Sequence, residues 1–332
     1  MSLKLADWDA RIGRRLKLRD LHILSAVLRF GSMAGAAAHL GLTQPAISQA
    51  IADLEAALGV RLLDRGPRGV LPTPFGEALA KRGAEAFDVL RQGIRDIEFL
   101  ADPGTGEVWI GASESYISGG LLSAVIAHLA ARHPRIAVHV VEANTAAMEF
   151  RELRERKVDL MLGRVSGPVS DEDLEAETLH EESIVVAAGA KHRLARRRSL
   201  DLAELCDEAW ILAPPNTAVR ELVGAAFREQ GLTPPRLGVT TYSMQLRMQL
   251  LATGRYVTSV PESLLTCNAK RWGLTTLPVT IGKPLPVVIV TLRNRTLNPA
   301  VRLFIEHARS ATKAMHKVGR GARPAAGSRR GT

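Results

Sequence analysis

Only two of the 332 residues are cysteine, Cys206 and Cys267. Their spacing matches no metal motif and offers no disulfide framework, so reduced structural thiols in a cytoplasm are expected. No apolar run is long enough to cross a bilayer. The N-terminus mixes Asp7, Asp9, Arg11, Arg14 and Arg15 where a secretory leader would carry an apolar core. The punctuation of common enzymes is missing too. There is no GxSxG to place a nucleophile, no GxxxxGKS/T phosphate loop and no strand-anchored GxGxxG. His128, His133 and His139 lack HExxH spacing, and with His22 and His39 they read as surface or packing residues. Neither Glu114 nor Ser115 has a nucleophile context. No catalytic residue, cofactor or metal is therefore expected.

Acidic residues are scarce in two places. Residues 313–332 hold Lys313, Lys317, Arg320, Arg323, Arg329 and Arg330 and no acid. Residues 14–76 hold eight Lys/Arg against Asp20, Asp53, Glu55 and Asp64. These two stretches account for the net charge of +10, and the rest is close to neutral. A basic N-terminal domain suits a polyanion, and 313–332 reads as a basic, disordered, solubilising tail. With 46% apolar residues, the length allows about two cored domains.

The stretch Ser32 to Gly59 carries the strongest pattern. Ala36, Ala37 and Leu40 are small or apolar, and Gly41 is placed to end a first helix. Thr43 is a good N-cap for a second, and Pro45 is tolerated near a helix start. Ile47, Ile51, Leu54 and Leu58 then recur on one helical face. The opposite face shows Gln44, Ser48 and Gln49, whose side chains can bond to base edges or phosphates. An ordinary helical hairpin would share much of this, but the neighbouring segments favour a helix-turn-helix. Leu18, Leu21, Leu24, Val27 and Leu28 form a preceding amphipathic helix that stops at Gly31. Residues 60–76 read as a two-stranded wing around Gly66, Pro67 and Gly69, with Arg65 and Arg68 near its tip to meet a DNA backbone or minor groove.

Residues 77–101 form one long helix. Leu79, Gly83, Ala86, Leu90, Gly93, Ile97 and Ala101 step by four and three, and Phe87 and Ile94 widen the stripe. This seam could pack on its own domain. Dimerisation through Leu79, Ala86, Leu90 and Ile97 is favoured, because a helix between two domains has little else to cover it. Asp102 to Gly106 breaks it.

From Glu107 the pattern alternates. Strands are expected at 108–112, 137–143, 158–162, 183–189, 209–214, 236–241, 255–261 and 286–292. Helices are expected at 119–132, 146–156, 201–206, 217–230, 243–253 and 299–311. Successive βα units imply parallel sheets in two lobes, with the chain crossing near 176–181 and returning near 277–283. Ligands of open α/β sheets bind at the carboxyl ends of strands. Those ends carry Ser113, Glu114, Ser115 and Tyr116, then Asn144 and Thr145, then Gly163 and Arg164. In the other lobe they carry Asn216 and Thr217, and Tyr242 and Ser243. Hydroxyls, amides and helix N-termini there would suit a small polar or anionic molecule, although each such residue could equally be a helix cap.

At this point the chain resembles the LysR-type transcriptional regulators, from Leu18 to about Ala311. The run from Gly31-Ser32 through Leu42-Thr43-Gln44-Pro45-Ala46-Ile47-Ser48, Ile51, Leu54-Glu55 and Leu58-Gly59 is similar to the family signature. So are Leu63 and Arg65, Arg68-Gly69-Val70, Thr73-Pro74 and Gly76. The chain departs at Leu63, where the family usually has an aromatic, and at Gln49, where arginine is frequent. The fold implied is α/β with an N-terminal all-α winged helix-turn-helix domain and a C-terminal two-lobed effector domain resembling periplasmic binding proteins. Its divisions are a leader (1–16), a DNA-binding domain (17–76), a linker and dimerisation helix (77–102), an effector domain (107–312) and the tail.

The resemblance implies a cytoplasmic transcription factor that binds double-stranded promoter DNA as a homodimer or homotetramer. Ser32, Thr43, Gln44, Pro45, Ser48, Gln49, Arg65 and Arg68 are its candidate DNA contacts. A small polar or anionic metabolite is the implied effector. Its candidate contacts are Ser113, Ser115, Tyr116, Thr145, Arg164, Asn216, Thr217 and Ser243, with Ser115 and Thr145 at matching positions of the family. RNA polymerase is a further partner that this role allows. The alternative is a solute-binding protein without a transcriptional role; it would share the two lobes but need a signal peptide and no winged helix.

Overall fold

In a computed structural model, the chain divides into two compact units, residues 1–94 and 95–332. The structure describes residues 16–66, 69–143, 149–165, 167–215 and 217–321, the last eight by backbone only. Arg68, Thr145, Asn216, nearly all of the leader and residues 322–332 lie outside the described residues.

The first unit begins with α1 (Leu18–Phe30), which buries Leu21, Leu24 and Val27 and ends on Gly31 at φ 63°. Leu18 is exposed. The next helix, α2 (Met33–Leu40), is capped by Ser32, whose Oγ accepts the Gly35 N–H at 3.0 Å. Gly41 closes it by donating to the Ala37 carbonyl. Thr43 then caps α3 (Gln44–Leu58), with Pro45 in the first turn. Ile47, Ile51 and Leu54 are fully buried, as their spacing requires, and join α1 and α2 in one core. The wing is β1 (Leu63–Gly66) paired antiparallel with β2 (Gly69–Pro72). Glu55 fixes its root by accepting the N–H groups of Leu62 and Leu63 at 2.7 and 3.2 Å.

The long helix α4 (Pro74–Ala101) starts three residues before its expected position. Thr73 caps it, accepting the Gly76 N–H and donating to the Arg61 carbonyl. Its first turns pack at home. Leu79 joins the helix-turn-helix core, Gly83 lies against Leu21, and Phe87 meets His22 edge-on. Leu79 is thus not part of a free seam, and Ala86 is half-buried. Further on, Val89, Leu90, Ile94, Ile97 and Leu100 are all exposed.

The second unit has two lobes. In lobe I a sheet of order β4-β3-β5-β12-β6 is built from β3 (Thr105–Ala112), β4 (Arg135–Glu142), β5 (Leu160–Arg164), β6 (Leu174–Glu182) and β12 (Leu285–Leu292). The short helices α5 (Glu114–Ile117) and α7 (Arg151–Arg154) follow strands. Two longer helices, α6 (Leu121–Arg132) and α11 (Pro299–Gly321), pack on one face around Phe304 and Leu129. In lobe II the order is β11-β7-β10-β8-β9, from β7 (Ile184–Gly189), β8 (Ala209–Leu212), β9 (Leu237–Thr240), β10 (Tyr256–Pro261) and β11 (Leu274–Thr280). Its helices are α8 (Ala218–Glu229), α9 (Met244–Ala252) and α10 (Glu262–Trp272), with a 3₁₀ turn at Leu202–Leu205.

Several expectations are corrected. The sheets are mixed: β12 runs antiparallel to β5 and β6, and β7 antiparallel to β10 and β11. The first crossing is at Ser183, because residues 174–182 form the edge strand β6; its many glutamates suit a solvated edge. The elements α10 and β11 were not expected at all. In 146–156 only α7 is helical among the described residues, and buried Phe150 stands just before it at φ 45°. Helix α11 runs to Gly321, so part of the expected disordered tail is helix.

Candidate functional site

The first turn of α3 presents Gln44 and Pro45 beside their cap Thr43, all exposed, with Gln49 one turn on and Ser48 half-buried. The apolar face is turned fully into the core, so this polar face is left to solvent. Gln49 Nε2 donates to Asp53 Oδ1 at 2.8 Å, which orients the amide. Arg65 is exposed on β1. Ser32 differs from these, because its hydroxyl is spent on capping α2.

The second site is a cleft between the lobes of the second unit, with a volume of about 130 Å³. That is close to the ~150 Å³ of a cavity that admits benzene in another protein. The carboxyl ends of β3, β4 and β5 bring Ser113, Ser115, Glu142 and Arg164 to it. Lobe II brings Thr217 before α8, Arg247 on α9 and Ser259 on β10. Of the expected residues, Ser113, Ser115, Arg164 and Thr217 line the cleft. Ser113 and Ser115 lie 3.3 Å apart through their hydroxyls.

Two expected residues do not line it. Tyr116 is buried in the lobe I core, where its hydroxyl donates to Glu182 Oε2 at 3.2 Å and its ring lies under Arg164. Burial raises its pKa well above the usual phenol value. Ser243 caps α9, accepting the Leu246 N–H at 3.2 Å. Local capping explains both placements of Ser and Thr here, since Thr217 also caps α8 while lining the cleft.

Sequence reasoning missed Glu142, Arg247 and Ser259 as cleft residues. Arg247 sits inside a helix and Ser259 inside a strand, away from any strand end that would flag them. Arg247 is 5% exposed and spends its donors on the carbonyls of Thr241 and Ser259. Burial pushes its guanidinium down to about 10, opposed by Glu114. Arg164 is also buried; its Nε donates to Glu182 at 3.1 Å, while Nη2 is buried without a hydrogen-bond partner. The Ser259 hydroxyl is buried and unpartnered too. Arg164 and Ser259 both line the cleft, and each carries a buried polar atom without a hydrogen-bond partner.

These two sites are found together in known proteins. A family model described as the lysR-family bacterial regulatory helix-turn-helix protein matches residues 18–77, and one described as the LysR substrate binding domain matches 101–313. The chain belongs to the LysR family of transcriptional regulators. It is a helix-turn-helix regulator with a DNA-binding and an effector-binding domain, and the family's members are not enzymes. The transcriptional regulator GbpR of Azospirillum brasilense is 28% identical over 92% of this chain and 89% of its own length. BenM of Acinetobacter baylyi is 28% identical over 84% of this chain and 90% of its own. Among solved structures, full-length BenM is 25% identical, covering 91% of this chain and 98% of that one with a TM-score of 0.51. Full-length CbnR complexed with its target DNA shares the fold at a TM-score of 0.64 and 22% identity, over 89% of this chain and 100% of that one. No described helix is long and apolar enough to cross a membrane.

Proposed function

We propose that this LysR-family regulator responds to a small anionic metabolite that enters the interlobe cleft and meets Arg164. The observation that carries this reading is the buried, unpartnered Nη2 of Arg164. A guanidinium whose Nε is already paired with a carboxylate offers its remaining donors in a planar fork suited to a second oxyanion. Ser113, Ser115, Thr217 and the orphaned Ser259 hydroxyl add neutral donors, and Ala143, Ala218 and Val219 add apolar wall. On the DNA side, Thr43, Gln44, Pro45, Ser48 and Gln49 face the major groove, with Arg65 and Arg68 on the backbone or in the minor groove. Ser32 supports this surface by fixing α2. The working form is a cytoplasmic homodimer or homotetramer on promoter DNA, with RNA polymerase as the downstream partner. Thr145 and Asn216 remain effector contacts of this proposal from sequence alone.

The test is thermal denaturation of the full chain against a panel of small carboxylates and phosphate esters. A hit raises Tm in the wild type. Arg164→Ala abolishes the rise, and Ser113→Ala weakens it. A carboxylate that raises Tm equally in the wild type and Arg164→Ala places the effector elsewhere.

A further inference from the structure

The cleft already contains a carboxylate of the protein's own. Glu114 is the first residue of α5, on lobe I. Its Oε2 accepts the backbone N–H of Met244 at 2.7 Å, 130 residues away on lobe II. Met244 is the first residue of α9. The N–H groups of a first helical turn have no partner inside the helix, and the helix dipole favours an anion there. Ser243 satisfies the N–H of Leu246, and Glu114 satisfies that of Met244. Glu114 is therefore an anion bound at a helix N-terminus, covalently tethered to the opposite lobe. Arg247 lies on the same helix one turn on and interacts with it electrostatically.

Two other hydrogen bonds among the described residues tie the lobes. Asn268 Nδ2 donates to the Ser118 carbonyl at 3.2 Å, and the Ser263 N–H donates to Glu182 Oε1 at 3.3 Å. Glu114 differs from these in lining the cleft, where an incoming ligand meets it. Glu142 faces it from the end of β4, Arg247 from α9, and the Ser118 hydroxyl from its own segment. A ligand filling a space of about 130 Å³ reaches Arg164 and the α9 N-terminus together. If that ligand is anionic, its charge and those of Glu114 and Glu142 share one small space.

We propose that Glu114 is a tethered competitor of the effector. Its carboxylate occupies the α9 N-terminus and ties the lobes, and an anionic effector displaces it from that position. The idea rests on the reading of the cleft as an anion site. Burial is the first cause of a raised Glu114 pKa, which means the tied carboxylate is poorly solvated. Its release to water recovers hydration and favours exchange for a ligand. The device sets specificity as well. A neutral ligand leaves Glu114 in place, and an anion removes it, so only the anion changes how the lobes are tied.

Hydrogen exchange by mass spectrometry on the full chain tests this, with sulfate as the anion probe. In Glu114→Ala, without sulfate, the first turn of α9 should exchange faster than in the wild type. Glu114→Gln keeps an acceptor oxygen but no charge, and should retain most of the protection. Sulfate should restore protection in Glu114→Ala, and sulfate titrated by calorimetry should bind that variant about five- to tenfold more tightly than the wild type, the scale of one charge repulsion over a few ångströms. Glu114→Gln should share the tighter sulfate binding, which a variant that had merely lost its fold would not show. Equal sulfate dependence in the wild type and both variants overturns the competitor and leaves the anion cleft standing. Sulfate that binds none of the three overturns both the cleft reading and the competitor.

Discussion

Single side chains in this protein separate stability from recognition. Ser259 is the clearest case. Its hydroxyl is buried with no hydrogen-bond partner in the protein. A buried unsatisfied hydroxyl costs about 1–3 kcal/mol. Ser259→Ala should therefore hold or raise Tm while weakening binding of the cleft ligand, seen by paired denaturation and titration calorimetry. A lower Tm with ligand affinity unchanged would make Ser259 purely structural. The recognition face behaves differently, because nothing in the core depends on it. Gln44→Ala should relax base discrimination at one operator position by about 1–3 kcal/mol, measured as affinity across single-base variants. Arg65→Ala should weaken binding to all sequences and flatten its salt dependence. A Gln44→Ala protein that keeps the full discrimination would remove Gln44 from the base contacts. The polar face of α3 was legible because Ile47, Ile51 and Leu54 fix its rotation. Arg247 and Ser259 were not, because a charge inside a helix and a hydroxyl inside a strand carry no local mark of facing a cleft.

At the scale of elements, α4 shows how far periodicity alone reaches. The stripe on α4 was legible, but not what covers each part of it. Leu79 goes into the helix-turn-helix core, while Leu90, Ile94 and Ile97 stay exposed with Val89 and Leu100 beside them. Five exposed large apolar side chains on the last turns of one helix make a patch of the kind that covers itself with a partner. Leu90→Glu should then split the dimer and lower operator affinity together, because it places an unpaired charge on both sides of the contact. Leu79→Ala should instead lower the melting temperature of the DNA-binding unit, with the subunit count intact. Light scattering and denaturation distinguish the two, and an unchanged mass in Leu90→Glu would sink the seam. Other elements were hidden for chemical reasons. Strand β6 reads Leu-Glu-Ala-Glu-Thr-Leu-His-Glu-Glu, and its acidic outer face concealed it as a loop. Helix α10 and strand β11 were missed although Pro261 precedes the helix and Gly273 ends it at φ 62°, because only Leu264 and Leu265 of the helix are buried and they mark no apolar face.

For the whole molecule the question is what passes between a ligand in the cleft and a helix on DNA. The fold class was readable from the chain, since a helix-turn-helix pattern gave way to alternating strands and helices at residue 107. The ties between the lobes were not, because pairs such as Glu114 with Met244 lie 130 residues apart. A ligand changes DNA binding only by its difference in affinity for two arrangements of the protein. Linkage then fixes a symmetric requirement. If the effector changes operator affinity by some factor, saturating operator DNA must change effector affinity by the same factor. Couplings of this kind are typically about 5–150-fold. Calorimetric titration of the effector into free protein and into the protein–operator complex measures one side of the cycle, and operator binding with and without effector measures the other. The two factors should agree, and Arg164→Ala should bring both to one. Effector affinity that is identical on and off DNA, in a protein whose promoter output still responds, would show that the ligand reshapes the bound complex without changing its affinity. The Glu114 tie would then act on the geometry of the DNA complex and not on its occupancy.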